Sequence, residues 1–156
     1  MTIRVLFVCH GNICRSTMAQ FVFQHLVNQL GGGADFAIDS RATSTEEIGN
    51  GPHRGTVMKM KEQGIPVLPH AARQITMADY QGADMIIAMD EANVRNLNRM
   101  LGGDPDGKVF KLLSFCSLDR DIADPWYTGD FDATYDDVLK GCRGLVSHFK
   151  SLGLLY

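Results

Sequence analysis

The chain has 156 residues, 45% of them hydrophobic, which predicts a single domain over residues 1–156 with one core. Its net charge of −3 argues against a general nucleic-acid binder, because affinity for a phosphate backbone needs a basic face. The apolar run Val5–Cys9 is far shorter than the ~20 residues of a membrane span and no secretory signal precedes it, so we expect a cytoplasmic protein with reduced cysteines and no membrane partner.

The first half of the chain predicts two strands and two helices. Ile3–Val8 is a continuous apolar stretch with β-branched residues, as expected of a strand that is buried on both faces. A helix follows from Ser16 to about Leu30, with apolar residues four apart, and the glycines at 31–33 end it. A second short strand at Phe36–Asp39 and a helix over residues 55–63 complete this half.

The second half continues the alternation of strands and helices. Its elements are, in chain order, a strand at Ala83–Met89, a helix capped by Asp90 that runs to about Leu101, a strand at Val109–Leu113, an irregular segment over 114–133 and a helix over about 135–151. Asp136 and Asp137 are predicted to lie in the first turn of that last helix, where acids suit the helix dipole. Strands that alternate with helices predict an α/β fold.

The loop that joins the first strand to the first helix carries the strongest chemical signal. Cys9 opens it and Arg15 closes it, with His10, Gly11, Asn12, Ile13 and Cys14 between them. A thiolate is a strong nucleophile, five residues of backbone can wrap their N–H groups around a tetrahedral oxyanion, and a guanidinium binds such an anion with two donors. The loop therefore predicts transfer of a phosphoryl group onto sulfur.

The position of this loop supports that prediction. In a parallel sheet, ligands bind outside the carboxyl ends of the strands, and the helix that starts near Arg15 points its positive dipole end at the loop. This field favours the thiolate form of Cys9. Gly11 allows a turn close to the anion, Asn12 is the residue best suited to a left-handed backbone, and Ser16 is able to donate its hydroxyl to the sulfur.

A second candidate group lies in the predicted irregular segment. Displacing a phenolate from phosphorus requires a positioned acid, and Asp124 is the best candidate for it. Pro125 restricts Asp124 to an extended backbone, and Trp126 and Tyr127 provide flat surfaces for an aromatic ring.

Together these segments resemble the low-molecular-weight protein tyrosine phosphatases. The loop reads Cys-His-Gly-Asn-Ile-Cys-Arg-Ser from Cys9, the later motif reads Asp-Pro-Trp-Tyr from Asp124, and the likeness extends to the segments that begin at Ile38, Gly64 and Met89. The resemblance covers almost the whole chain. It implies a single domain with a central four-stranded parallel sheet that is flanked by helices on both faces.

The resemblance also implies a role for each site residue. Cys9 would form a phosphocysteine intermediate, Arg15 would bind the transferred phosphoryl group, and Asp124 would act first as an acid and then as a base. A hydrogen-bond network would hold the loop through Asn12, Ser16, Ser40 and His70. Substrate and oxyanion contacts are expected from His10, Gly11, Asn12, Ile13, Cys14, Glu46, Trp126 and Tyr127, and Cys14 is the expected partner of a reversible disulfide with Cys9. The implied substrates are tyrosine-phosphorylated proteins and small aryl phosphates.

One departure from the family pattern concerns substrate choice. Glu46 stands where the family often has an aromatic or large apolar residue beside the substrate ring. We hypothesise that its carboxylate disfavours acidic phosphopeptides and favours basic ones. The alternative is that Glu46 and Glu47 are a solvated loop surface.

Other functions remain open from the sequence. A related fold reduces arsenate with the same loop, but it needs two more thiols; Met85 and Met89 lie where these are expected, and Cys116 and Cys142 are otherwise expected to be buried small residues. A cysteine phosphocarrier of the sugar-transport type would need neither Arg15 nor Asp124. We expect no metal and no cofactor, because the histidines at 10, 25, 53, 70 and 148 show no ligand spacing.

Overall fold

A four-stranded, fully parallel sheet forms the centre of the computed structural model, which describes residues 2–156. The strands are β1 Ile3–Cys9, β2 Phe36–Ala42, β3 Met85–Ala88 and β4 Val109–Lys111, and their order in the sheet is β2-β1-β3-β4. β1 pairs with β2 and β3, so it is the inner strand that leads directly to the Cys9 loop. The predicted single-domain α/β fold with a four-stranded parallel sheet is confirmed.

Helices cover both faces of this sheet. They are α1 Arg15–Gln29, α2 Arg54–Glu62, α3 Met77–Gly82, α4 Glu91–Leu101, α5 Pro125–Thr128 and α6 Phe131–Ser151. Short 3₁₀ segments at Gly33–Asp35 and Leu112–Cys116 complete the regular structure of the described residues. None of the helices in residues 2–156 has the length and apolar character needed to cross a bilayer.

The alternation of side chains along β1 divides the core into two layers. Val5 and Phe7 face the larger layer beneath α1 and α6, whereas Leu6 and Val8 face the smaller layer beneath α3 and α4. In the larger layer, aromatic rings pack edge to face, with centroid separations of 5.9 Å for Phe7–Phe23 and 5.1 Å for Phe36–Phe149. Burial on both faces explains why β1 reads as an unbroken apolar run.

Several element boundaries differ from the sequence prediction. β2 extends to Ala42 instead of Asp39, because its parallel pairing with β1 continues to the Cys9–Ala42 pair. The strand predicted at Val109–Leu113 ends at Lys111, since the next residues turn into a 3₁₀ segment that packs against α6. Helix α3 was not predicted; Thr76 and Asp79 form a capping box at its start.

The segment 114–133 is more regular than predicted. It contains α5, and α6 begins at Phe131 rather than near 135, where the side chain of Asp130 caps it by accepting a hydrogen bond from the Ala133 N–H. The acid in the first turn is therefore Asp132, not Asp136 or Asp137. The early start has no apolar periodicity in the sequence. It depends instead on a tertiary contact, the stacking of the Phe131 ring on His53.

The expectation of buried cysteines holds for one of the two distal thiols. Cys142 is fully buried between α6 and α1, and this burial raises the pKa of its thiol. Cys116 is only half-buried, because it lies at the end of the 3₁₀ segment.

A glycine in the middle of α6 provides a test of this packing. A Cβ at Gly144 would overlap the carbonyl oxygen of Phe115 and lie 2.6 Å from its carbonyl carbon. Although alanine is the better helix former, we expect Gly144→Ala to lower the free energy of unfolding by about 1–3 kcal/mol, since backbone atoms must move. Chemical denaturation monitored by circular dichroism measures the change.

The matched control is Gly82→Ala, at the last residue of α3. A Cβ there meets no atom within 4 Å, and we expect a gain of about 0.5 kcal/mol. Equal effects of the two substitutions would show that the contact between α6 and the 3₁₀ segment does not constrain residue 144.

Candidate active site

The orientation of the Cys9–Arg15 loop is fixed by donors outside it. Four groups outside the loop each donate a hydrogen bond to a loop carbonyl oxygen. The pairs are Thr43 N to Cys9 at 3.0 Å, Ser44 N to His10 at 3.0 Å, His53 N to Ile13 at 2.7 Å and Thr56 Oγ1 to Cys14 at 3.2 Å. In a trans peptide, the C=O and the following N–H point in opposite directions. These contacts therefore turn the N–H groups of the next residues toward the inside of the loop, as an anion site requires.

The sulfur of Cys9 lies at the base of this loop. The N–H of Asn12 donates to Sγ at 3.3 Å, and Oγ of Ser16 lies 3.0 Å from Sγ. The first turn of α1, residues 15–18, is Arg-Ser-Thr-Met, so no acidic side chain within it offsets the positive end of the helix dipole. The sulfur is thus surrounded by a backbone N–H, a hydroxyl group and the positive end of a helix dipole.

Asn12 supports the loop from below, as the resemblance implied. Its backbone is left-handed, with φ of 59°, which confirms the conformational prediction. Its Nδ2 donates to Ser16 Oγ and to Ser40 Oγ, both at 2.8 Å, and its Oδ1 accepts from His70 Nε2 at 2.8 Å. All four predicted network residues are therefore in contact.

The direction of these hydrogen bonds determines what Ser16 offers to the sulfur. Ser16 Oγ accepts from Asn12 and, while Cys9 is a thiol, from the sulfur, so its own proton remains available for donation to a Cys9 thiolate. Ser40 Oγ donates a hydrogen bond to Gln20 Oε1 at 2.5 Å. Burial lowers the pKa of His70, which keeps the ring neutral with Nε2–H directed at Asn12.

Arg15 is buried at the other end of the loop. Its Nη1 donates to Asp90 Oδ2 at 2.6 Å and to the carbonyl of Ile122 at 2.9 Å, while Nη2 lies 3.4 Å from Asp124 Oδ2. Burial alone would lower the pKa of Arg15, but the charges of Cys9, Asp90 and Asp124 raise it above its usual value. The buried Nε makes no hydrogen bond to any of residues 2–156, so it remains available to an anion.

Asp124 follows the geometry that Pro125 predicts. Its backbone is extended, with φ of −83° and ψ of 113°, and its Oδ1 accepts from the Trp126 N–H at 3.1 Å. The carboxylate is thus both the cap of α5 and a neighbour of Arg15.

Most of the predicted site residues line one small cavity of about 70 Å³. Its lining consists of Cys9, His10, Gly11, Ile13, Cys14, Glu46, Glu47, Asp124, Trp126 and Tyr127. A larger groove of about 410 Å³ lies between β2 and α3, but its lining contains neither a nucleophile nor the acid. Because Cys9, Asp124 and two aromatic side chains all line the smaller cavity, we take it as the candidate active site.

Two charged residues of the site were missed in the sequence. Asp90 was predicted only as a helix cap, yet one carboxylate oxygen caps α4 through Asn93 and the other binds Arg15. Glu47 lines the cavity and is held by Asn50 Nδ2 at 2.6 Å. No spacing rule marks either residue, since strand pairing brings Asp90 to Arg15 across 75 positions.

Gly11 and Cys14 differ in part from their predicted properties. A Cβ at Gly11 would lie 3.5 Å from Glu47 Cγ, an ordinary contact, and its backbone is not left-handed, so the turn itself does not demand glycine. Cys14 is 4% exposed, and burial together with the charge of Cys9 raises the pKa of its thiol to about 12. Cys14 is therefore a protonated thiol in the lining of the cavity.

The parallel α/β fold and the cysteine–arginine loop at the end of its inner strand define a phosphatase-like anion site. Residues 4–153 match the family model of the low molecular weight phosphotyrosine protein phosphatases. The human protein of that name is 41% identical over 147 residues, which are 91% of this chain and 92% of that protein.

Solved structures agree with this match. The crystal structure of YfkJ from Bacillus subtilis superimposes with a TM-score of 0.94 at 36% identity over 97% of both chains. SP-PTP, a low molecular weight protein tyrosine phosphatase from Streptococcus pyogenes, gives a TM-score of 0.86 at 38% identity over 97% of this chain and 98% of that one. The chain belongs to the low molecular weight protein tyrosine phosphatase family and is a hydrolase.

The dependence of the loop on Asn12 is testable by stability. We expect Asn12→Ala to lower the free energy of unfolding by about 3 kcal/mol, because several buried hydrogen bonds are lost and alanine disfavours a left-handed backbone. Ser117→Ala is the matched control, since Ser117 also has a left-handed φ, 61°, but is exposed. Denaturant titration of both variants separates the two effects; similar losses would mean that backbone conformation, not the network, accounts for the role of Asn12.

Proposed function

We propose that this single domain, residues 1–156, hydrolyses phosphotyrosine in cytoplasmic proteins, and small aryl phosphates, through a phosphocysteine intermediate. The observation that carries the proposal is that Cys9 and Asp124 line one cavity, with the Arg15 guanidinium 3.4 Å from the Asp124 carboxyl. Inorganic phosphate is the second product, and the steps below need no metal and no cofactor.

In the first step, the Cys9 thiolate attacks phosphorus. A sulfur–phosphorus bond forms and the phosphorus–oxygen bond to the tyrosine breaks. The departing phenolate is a poor leaving group, because tyrosine has a pKa of about 10, and Asp124 supplies its proton. A bound phosphate dianion favours the protonated carboxyl that this step needs.

In the second step, water replaces the sulfur. Asp124, now ionised, takes a proton from the water as its oxygen attacks phosphorus, and the sulfur–phosphorus bond breaks. The thiolate is released with the stabilisation that the Ser16 hydroxyl and the Asn12 N–H provide. Phosphate then leaves and the site returns to its starting state.

Charge on the transferred group is bound by the loop and by Arg15. The inward N–H groups of residues 10–15 donate to the equatorial oxygens, and Arg15 adds its free Nε and its Nη2. Asp90 holds the guanidinium in this orientation through Nη1. This arrangement supports transition-state binding rather than binding of the substrate alone.

The aromatic ring of the substrate would lie between the Ile13 side chain and the exposed rings of Trp126 and Tyr127. The ring of Trp126 packs edge to face against the ring of His53, with 5.7 Å between the ring centroids. The lining of the cavity also contains His10 and Glu46, which contact each other.

Cys14 is the proposed redox partner of Cys9. A peroxide would oxidise Cys9 to a sulfenic acid, and the protonated Cys14 thiol would condense with it, forming a disulfide and releasing water. The shared cavity and the electrostatic effect of Cys9 on Cys14 support this proximity.

The alternative functions receive less support. Arsenate reduction requires further thiols at the site. Among the described residues, neither Cys116 nor Cys142 lines the cavity. A phosphocarrier would have no use for the acid at Asp124.

The Cys9→Ser substitution tests the nucleophile. We expect turnover of para-nitrophenyl phosphate to be abolished while inorganic phosphate still binds, because the N–H groups and Arg15 are unchanged. Enzyme kinetics and calorimetric titration with phosphate measure the two effects. Full activity of the variant would refute the phosphocysteine mechanism.

The Asp124→Ala substitution tests the acid. We expect kcat for a phosphotyrosine peptide to fall about a hundredfold or more, and to fall less for an ester with a good leaving group, because that oxygen departs without a proton. Asp119→Ala is a control, since Asp119 is an exposed acid in the same loop. Equal losses on both esters would remove Asp124 from the acid role.

A further inference from the structure

One side of the active-site cavity carries an ion pair instead of an apolar surface. Nε2 of His10 lies 3.0 Å from Oε2 of Glu46, and the two side chains are 43% and 69% exposed. Glu47, also in the lining, adds a second carboxylate. We call His10, Glu46 and Glu47 the acidic rim.

The acidic rim is held in place by backbone contacts. The carbonyl of His10 accepts from both N and Oγ of Ser44, at 3.0 and 2.8 Å, so the turn that carries Glu46 is joined to the residue that Glu46 pairs with. Asn50 binds the Glu47 carboxylate through Nδ2 and the Glu47 carbonyl through its N–H, at 2.6 and 2.9 Å. The positions of both carboxylates relative to the cavity are therefore defined by the fold.

The charge of the acidic rim opposes the charge of the substrate. A phosphate dianion is compensated by Arg15 and the loop N–H groups, which lie at the base of the cavity, whereas the rim lies at its mouth. Two carboxylates at the mouth attract a cationic group that flanks the phosphotyrosine and repel an anionic one. Glu46 and Glu47 thus act on the part of the substrate that extends beyond the ring.

The protonation state of His10 sets the charge that Glu46 presents. When the ring is protonated, the pair is neutral overall and only Glu47 is uncompensated. When the ring is neutral, both carboxylates are uncompensated. Histidine changes its charge between pH 5 and 8, so this difference falls in the range where the enzyme can be assayed.

Resting on the function proposed above, we propose that the acidic rim selects phosphotyrosines flanked by lysine or arginine, and that loss of the His10 proton strengthens this selection. His10 and Glu46 are specificity-determining residues that act through the charge they present to the substrate. The other ionisable groups in the lining are Cys9, Cys14, Glu47, Asp124 and Tyr127, with Arg15 beside Asp124, and they are the same for every substrate.

The experiment compares two phosphotyrosine peptides of equal length, one with lysines and one with glutamates beside the phosphotyrosine. The measured quantity is the ratio of their kcat/KM values, at pH 5.5 and at pH 8. Titrations of the catalytic groups and of the phosphate affect both peptides and largely cancel in the ratio. For the wild type we expect the lysine peptide to be preferred about threefold to tenfold at pH 8, and less at pH 5.5.

The variants separate the members of the acidic rim. Glu46→Gln should lower the ratio at both pH values but keep a difference between them, because the charge of His10 still changes. His10→Asn should also remove the pH dependence, but at the high value of the ratio, because Glu46 then stays uncompensated. Glu47→Gln should lower the ratio at both pH values and keep the difference between them.

Asp35→Asn is the matched control. It makes the same change of net charge at an exposed acid just before β2, at the other end of the sheet, and the ratio should not respond. A ratio that falls as far in this variant as in Glu46→Gln would assign the preference to overall charge and overturn the proposal.

The outcomes also distinguish this proposal from the one on which it rests. If the wild-type protein does not turn over para-nitrophenyl phosphate, the proposed function is wrong. If it does, but the peptide ratio is near one, is unaffected by Glu46→Gln or keeps its pH dependence in His10→Asn, the role of the acidic rim is wrong and the phosphatase function stands.

Discussion

The side-chain amide of Asn12 is the contact on which the rest of the site depends. It holds a left-handed residue within the anion loop, and it fixes the directions of the hydrogen bonds to Ser16, Ser40 and His70. Because Ser16 Oγ accepts from the Asn12 amide, its hydroxyl proton is available for donation to a Cys9 thiolate. One buried polar group therefore determines the shape of the loop and the stabilisation of the sulfur together. A network of this kind is favourable only when every member is satisfied, which explains why it sits in a rigid corner between β1, β2 and α1.

A second constraint is the placement of negative charge. Arg15 is surrounded by Cys9, Asp90 and Asp124, so the buried cation is balanced before any anion binds. Asp90 binds Nη1 at 2.6 Å, whereas Asp124 makes only a 3.4 Å contact with Nη2, which is compatible with the acid role that we propose for it. The carboxylates at the mouth serve a different purpose from those at the base. We assign catalysis to the residues at the bottom of the cavity and discrimination between substrates to those at its mouth.

Much of the fold and part of the site can be predicted from local patterns. The apolar run of β1, the apolar repeats of α1 and α4, the loop from Cys9 to Arg15 and the extended backbone before Pro125 follow from spacing and side-chain chemistry. The early start of α6 cannot be predicted in this way, since it depends on the contact of Phe131 with His53. The end of β4 at Lys111 likewise depends on packing against α6, although Leu112 and Leu113 have the composition of a strand.

The sequence by itself determined that a thiol, a guanidinium and six N–H groups lie on one short segment, a combination that favours attack of sulfur on a bound oxyanion. Only the tertiary structure decided how these groups are oriented. The donors that turn the loop carbonyls outward come from residues 43–56, and the acid, the Asp90 partner of Arg15 and the His10–Glu46 pair are brought together across long separations by the parallel sheet. Such contacts leave no periodic trace in a sequence, since each depends on the register of strands rather than on neighbours along the chain.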